Sequence, residues 1–171
     1  IVLLGTISIQ TLRVVRRDRR LREEAEDELQ TAHDMQMGLM PQESPRVDGF
    51  DIAGRCIPAN HVGGDFFQYF SGEDTLSLAM ADVTGHAMQA AVPVMMFSGI
   101  LETEIQYGHD LETIFSNLNR TLHRKLDNRT FVCFAMGELA LPTCTLRLSN
   151  SGCPYPYHFC AARGEVVELQ V

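Results

Sequence analysis

The chain is organised around two short stretches, Val-Gly-Gly-Asp-Phe-Phe at residues 62–67 and Ala-Asp-Val-Thr-Gly-His at residues 81–86. Asp65 follows two glycines, whose backbone freedom lets another segment or a hydrated ion approach closely. Asp82 comes at the end of the apolar run 76–81, which predicts a buried strand, and a glycine turn follows it. We therefore expect both aspartates at strand ends.

Carboxylates at such positions suit a divalent cation. Mg²⁺ and Mn²⁺ prefer oxygen ligands and keep several coordinated waters, so the pattern predicts a site with few protein ligands. The alternative is structural, with Asp65 as a turn residue and Asp82 as the N-cap of the following helix. Spacing alone leaves both interpretations open.

A family resemblance adds to this pattern. Residues 63–67 and 82–86, together with Ala-Ala at 90–91, resemble the bacterial SpoIIE-like branch of the metal-dependent PPM protein phosphatases. The resemblance covers about residues 32–171. Further segments in family order are residues 32–41, Pro58-Ala59, residues 117–119, residues 131–132, and residues 150–152 with Pro154.

The resemblance implies a fold, a reaction and a set of ligands. The family fold has two β-sheets packed face to face with helices outside, and its members hydrolyse phosphoserine and phosphothreonine with two Mn²⁺ or Mg²⁺ ions that bridge a hydroxide. By position, Asp65 would bridge both ions and Asp82 would be the second carboxylate ligand. Val83 would offer its backbone carbonyl through water, and the family's further aspartates would follow Val171.

Three departures from the family pattern keep a second function open. Gln68, Cys133 and Cys153 stand where the family usually has aspartate, threonine and histidine. They favour, as an alternative, a catalytically degenerate module that binds a phosphoprotein or relays a dimeric sensor signal without turnover. The glycine pair also resembles the Gly-Gly-Asp-Glu-Phe loop of diguanylate cyclases, but Phe66 replaces the acidic residue of that loop.

Charge divides the chain near its start. Residues 1–22 hold six arginines against Asp18, a net charge of +5, so the other 149 residues carry −13 of the total of −8. The acidic body disfavours nucleic acid as a partner. The apolar start followed by arginines predicts the end of a transmembrane segment at residues 1–12, with the domain on the cytoplasmic side of the inner membrane. A short buried helix with a basic end is the alternative.

A linker helix is expected between the arginines and the domain. We assign residues 13–41 to a basic juxtamembrane segment and linker helix, and residues 42–171 to the phosphatase-like domain. The helix could pair with a second copy of itself, giving a homodimer, or pack on its own domain. Its apolar stripe consists of Leu21, Ala25, Leu29, Ala32, Gln36 and Leu39.

The remaining pattern predicts an α+β fold with antiparallel strands rather than a doubly wound sheet. By resemblance, the substrate would be a phosphorylated regulatory protein, such as an anti-sigma-factor antagonist. Strands are expected at residues 50–58, 76–81, 130–141, 143–150, 155–161 and 166–171, and helices at residues 88–107 and 111–126.

Overall fold

The protein is an α+β fold of three helices and six strands over the residues described by the computed structural model, 2–58, 62–85 and 88–171, with side chains from residue 10 onward except residue 11. The elements are α1 (Val2–Met37), β1 (Asp65–Ser71), β2 (Thr75–Val83), α2 (Met88–Gln106), α3 (Leu111–Lys125), β3 (Val132–Ala140), β4 (Thr145–Ser151), β5 (Tyr157–Cys160) and β6 (Glu165–Glu168).

The strands form two antiparallel sheets. Strands β1 to β4 make one sheet in chain order, and β5 and β6 make a separate hairpin. Antiparallel neighbours joined in sequence confirm the predicted α+β class and exclude a doubly wound sheet.

One face of the four-stranded sheet packs against α2, and the other does not. Phe66, Ala81 and Phe134 form one row across β1, β2 and β3, and all three are buried. Phe97 of α2 packs edge-on against Phe66 and Phe134, with ring centroids 5.6 and 5.0 Å apart. Since side chains alternate along a strand, the neighbouring residues lie on the opposite face, away from α2. That face carries both aspartates.

The start, the buried face and the end of helix α3 are each explained by its local sequence. The Asp110 carboxylate accepts a hydrogen bond from the Thr113 N–H at 2.9 Å and caps the first turn. Ile114, Leu118 and Leu122 recur every four residues and are buried, while basic residues occupy the last turn.

Helix α1 is continuous through both predicted N-terminal segments. The described side chains between residues 10 and 28 are exposed, and burial begins only near Ala32 and Gln36, where the helix meets the domain. Among the described residues, no helix combines the length and the apolar character needed to span a membrane.

The structure corrects the predicted strands in two places, one strand that is absent and one that was not predicted. Residues 50–58 were expected to form a strand, but residues 51–58 belong to no described strand, and Phe50 makes only an isolated bridge with Val47. This segment instead crosses the side chains of β1, because a Cβ added at Gly54 would lie 2.1 Å from the Tyr69 hydroxyl oxygen. Strand β1 beyond Asp65 was not among the predicted strands.

The other predicted elements are confirmed, with their ends shifted by a few residues. The last predicted strand, 166–171, is observed as Glu165–Glu168. Ala59 and His86, which belong to the segments that carry the family resemblance, lie outside the described residues, as do Ile1 and Ala87.

Candidate metal centre

The structure brings the two predicted aspartates directly opposite each other. Asp65 is the first residue of β1, and its register partner on β2 is Asp82. The Val83 N–H donates to the Gly64 carbonyl oxygen at 3.0 Å. This hydrogen bond lies beside the aspartate pair, which is therefore a non-hydrogen-bonded pair, the arrangement that brings side chains closest. Both carboxylates are exposed on the face away from α2.

Gly64 allows the two strands to meet at this point. A Cβ added at Gly64 would lie 2.0 Å from the Val83 carbonyl oxygen, a distance that no side chain can occupy. The Val83 side chain itself is buried in the core. Glycine at 64 thus keeps the Val83 carbonyl close to the backbone that leads into Asp65.

The electrostatics of the pair favour a bound cation. Partial burial, and then the nearby Asp82 carboxylate, raise the pKa of Asp65 above its ordinary value. Two carboxylates held on adjacent strands repel each other, and a divalent cation between them would offset that repulsion. The chemistry of the donors, two carboxylates and a carbonyl, suits Mg²⁺ or Mn²⁺.

The described residues supply only part of a full metal site. Among residues 2–58, 62–85 and 88–171, no group of three or more His, Cys, Asp or Glu side chains is arranged to hold a metal ion. Asp65 and Asp82 are brought together, with the Val83 carbonyl beside Gly64. Their role as ligands stays a prediction.

Two cysteines lie at the same end of the sheet. Cys133 is the register partner of Asp82 on β3, and a Cβ added at Gly152 would lie 3.3 Å from the Cys133 sulfur. Burial, the neighbouring Cys133 and Asp82 together raise the pKa of the Cys153 thiol to about 11. A thiol with this pKa is protonated at neutral pH, so Cys153 is not an activated nucleophile.

Helix α1 holds the glycine pair through a buried glutamine. The Gln36 Nε2 atom donates to the Gly63 carbonyl oxygen at 2.6 Å, and the Gly63 N–H donates to Gln36 Oε1 at 3.0 Å. Gln36 is only 3% exposed. Sequence reasoning placed Gln36 in the apolar stripe and missed this contact. The available signal was a polar residue within a buried stripe, which must find hydrogen-bond partners.

Gln68 links β1 to the turn that follows α1. Its Nε2 atom donates to the Leu39 carbonyl oxygen at 3.1 Å, and its Oε1 atom accepts from the Tyr69 N–H at 2.9 Å. Gln68 therefore positions the turn that follows α1. It lies on the face opposite to Asp65, because strand side chains alternate.

Comparison with solved structures defines the class of fold. The chain matches a Mycobacterium tuberculosis structure of RsbU and RsbW domains with a TM-score of 0.59, at 20% identity over 67% of this chain and 32% of that chain. It matches the PP2C phosphatase domain with a regulatory fragment of SpoIIE from Bacillus subtilis at a TM-score of 0.54, at 15% identity over 63% of this chain and 32% of that chain. A structure of RsbX in complex with magnesium gives 0.51, at 16% identity over 64% and 51% of the two chains. The fold is that of the PP2C-type phosphatases.

Sequence comparison then gives the family. Residues 72–171 match the family model described as Stage II sporulation protein E. The chain belongs to the SpoIIE family, as the resemblance predicted. It is also 25% identical over 114 residues to the phosphoserine phosphatase RsbU of Bacillus subtilis strain 168, a match that covers 67% of this chain. The chain spans about a third of that relative's length, 34%.

Proposed function

We propose that this protein is a metal-dependent serine/threonine phosphatase that acts on a phosphorylated regulatory protein in bacterial signalling. The observation that carries the proposal is the direct pairing of two exposed aspartates, Asp65 and Asp82, at one end of the sheet. Family membership and the similarity to a phosphoserine phosphatase support it.

The residues of this chain would act mainly as ligands that hold the metal ions. Asp65 and Asp82, with the Val83 carbonyl, would bind two Mn²⁺ or Mg²⁺ ions together with ligands from elsewhere in the protein. Such ions supply a water of lowered pKa for attack on the phosphoryl group. No protein nucleophile is required, which agrees with the protonated state of Cys153. The magnesium bound to RsbX supports this choice of metal.

The substrate is proposed from the relatives. RsbU is named as a phosphoserine phosphatase, and one structural match combines RsbU and RsbW domains. A phosphoserine or phosphothreonine on an anti-sigma-factor antagonist is the substrate we propose. We assign no nucleic-acid partner, since the 149 residues after residue 22 carry a net charge of −13 against −8 for the whole chain.

Helix α1 is proposed to connect this centre to a membrane and to a second subunit. The chain starts with the apolar sequence Ile-Val-Leu-Leu, and arginines follow from Arg13. We propose tethering to the inner membrane with the domain on the cytoplasmic side. The exposed part of α1 offers a surface for homodimer formation, and Gln36 links the helix to the glycines beside Asp65.

A non-enzymatic function is the second candidate. Cys133 pairs with Asp82, and Cys153 is close enough for that carboxylate to raise the pKa of its thiol, where the family usually has threonine and histidine. Such a module would bind a phosphoprotein or relay dimer geometry without releasing phosphate.

Phosphate release decides between the two candidates. The intact protein, including any residues that follow Val171, would be incubated with a phosphoserine protein and Mn²⁺. We expect release that stops on addition of a chelator and is lost in Asp65→Asn. The matched control is Asp74→Asn, an exposed aspartate at the other end of the β1–β2 hairpin. Binding of the phosphoprotein without release by the folded wild-type protein would favour the non-enzymatic module.

A further inference from the structure

One face of α1 concentrates positive charge. Four arginines follow one another at spacings of three, one and three residues, which places them on the same side of a helix. Together with Leu21 and Glu24, they line a common open groove on the helix surface. These arginines, here called the arginine face, are Arg13, Arg16, Arg17 and Arg20.

The other two arginines of the segment point elsewhere and are paired. Arg19 donates to Glu23 at 2.8 Å, and Arg22 donates to Asp18 at 2.9 Å. Among the side chains that the structure describes, the arginine face has no such ion pair. Within about three turns of α1, two arginines are thus paired with neighbouring carboxylates, and the four of the arginine face are not.

Apolar side chains are exposed beside these charges. Leu12 and Val14, which flank the arginine face at about 100° per residue, are 53% and 66% exposed. A helix that presents arginines next to exposed apolar side chains has the composition of a helix bound at a membrane interface. A nucleic-acid surface would provide phosphates but nothing to cover the apolar side chains.

The acidic body does not cancel the arginine face. Burial of α1 begins at Ala32, and at 1.5 Å per residue Arg13 lies about 28 Å farther along the helix. The Debye length at physiological salt is about 8 Å, so the negative domain is screened at that distance. The arginine face is therefore screened from the carboxylates of the folded domain, and the acidic side chains nearest to it are Asp18 and those at residues 23–28 of α1.

We propose that the arginine face of α1 binds the headgroups of anionic phospholipids. The proposal rests on the membrane location proposed above and adds to it a lipid class and a contact surface. By holding α1 against the headgroups, the contact would fix the direction in which the helix enters the domain at Gln36.

Vesicle binding with matched double variants tests the proposal. The 171-residue chain would be titrated with vesicles of about 70% phosphatidylcholine and about 30% phosphatidylglycerol, and with vesicles of pure phosphatidylcholine. Arg16→Gln/Arg20→Gln removes two charges from the arginine face, and Arg19→Gln/Arg22→Gln removes two paired ones. We expect the first pair to weaken binding to anionic vesicles about tenfold or more, and the second about twofold or less. Circular dichroism would check that both variants remain helical.

Three outcomes would overturn the proposal. Equal weakening by the two double variants would indicate a response to net charge alone. Equal binding of wild type to both vesicle types would assign the contact to apolar side chains. Preferential binding of a duplex RNA competitor over anionic vesicles would assign the surface to nucleic acid. Phosphate release by the same preparations is a separate readout, so failure of this proposal is distinguishable from failure of the phosphatase assignment.

Discussion

At the scale of single residues, the protein keeps two like charges face to face at an exposed end of its sheet. Asp65 and Asp82 are register partners, and burial together with Asp82 raises the pKa of Asp65. Like charges directly opposite each other destabilise a strand pair. A bound divalent cation, as proposed for this site, would offset that repulsion. Gly64 and the Val83 carbonyl complete the local arrangement.

Gly64 gives the sharpest prediction at this scale. Gly64→Ala would place a methyl group only 2.0 Å from the Val83 carbonyl oxygen unless the backbone moved. Because backbone atoms cannot yield cheaply, we expect a loss of about 1–3 kcal/mol in the free energy of unfolding, measured by urea denaturation. Gly63→Ala is the control, since its nearest neighbouring atom is 4.0 Å away. Equal effects of the two substitutions would contradict this account of Gly64.

At the scale of elements, two glutamines connect the end of α1 with the start of the sheet. Gln36 brackets Gly63, and Gln68 donates to the Leu39 carbonyl. The linker helix thus ends beside the glycines that precede Asp65. The sequence predicted the helix and both aspartates, but it left open whether the helix packs on its own domain. A glutamine in the apolar stripe indicates that hydrogen-bond partners are needed, but a partner 27 positions away cannot be identified from the local pattern.

The contact between Gln36 and Gly63 predicts a loss of stability on substitution. Gln36→Ala removes two hydrogen bonds from a buried site and leaves the Gly63 peptide groups without these partners, so the free energy of unfolding should fall by about 1–3 kcal/mol. Gln30→Ala is the matched control, because Gln30 is exposed and bonds only Asp34 on the same helix. Thermal denaturation of both variants makes the comparison. Because alanine has the higher helix propensity, the control should not be destabilised, and a control as unstable as Gln36→Ala would contradict the role given to the contact with Gly63.

The cap of α3 predicts a pH dependence. Hydrogen bonds from Thr113 hold the pKa of Asp110 below its ordinary value in the folded protein. The cap therefore stabilises the fold above the unfolded-state pKa, about 3.9, and this contribution is lost as pH falls through the lower folded-state pKa. Asp110→Asn keeps a capping oxygen that does not titrate in this range. We expect wild type to lose stability relative to Asp110→Asn between about pH 5 and about pH 2 in urea denaturation. A constant difference across that range would rule out this role.

At the scale of the whole molecule, one face of the four-stranded sheet packs in the hydrophobic core, and the other carries the aspartate pair. Phe97 packs on Phe66 and Phe134 from one side, and the aspartates lie on the other. Alternation along the strands makes this division readable from the sequence once the strands are known. The predicted strand at residues 50–58 is wrong. An extended segment that packs on side chains has the same kind of sequence as a strand that is hydrogen-bonded in a sheet, so the pattern does not separate the two.

The measurement that most directly tests the central claim is Mn²⁺ binding to the intact protein by isothermal titration calorimetry. Wild type, Asp82→Asn and Asp74→Asn would be compared at the same pH and ionic strength. We expect wild type and Asp74→Asn to bind alike, because Asp74 is an exposed turn residue, and Asp82→Asn to bind at least about tenfold more weakly. Undiminished Mn²⁺ affinity in a folded Asp82→Asn protein would contradict the assignment of this aspartate pair as a metal centre.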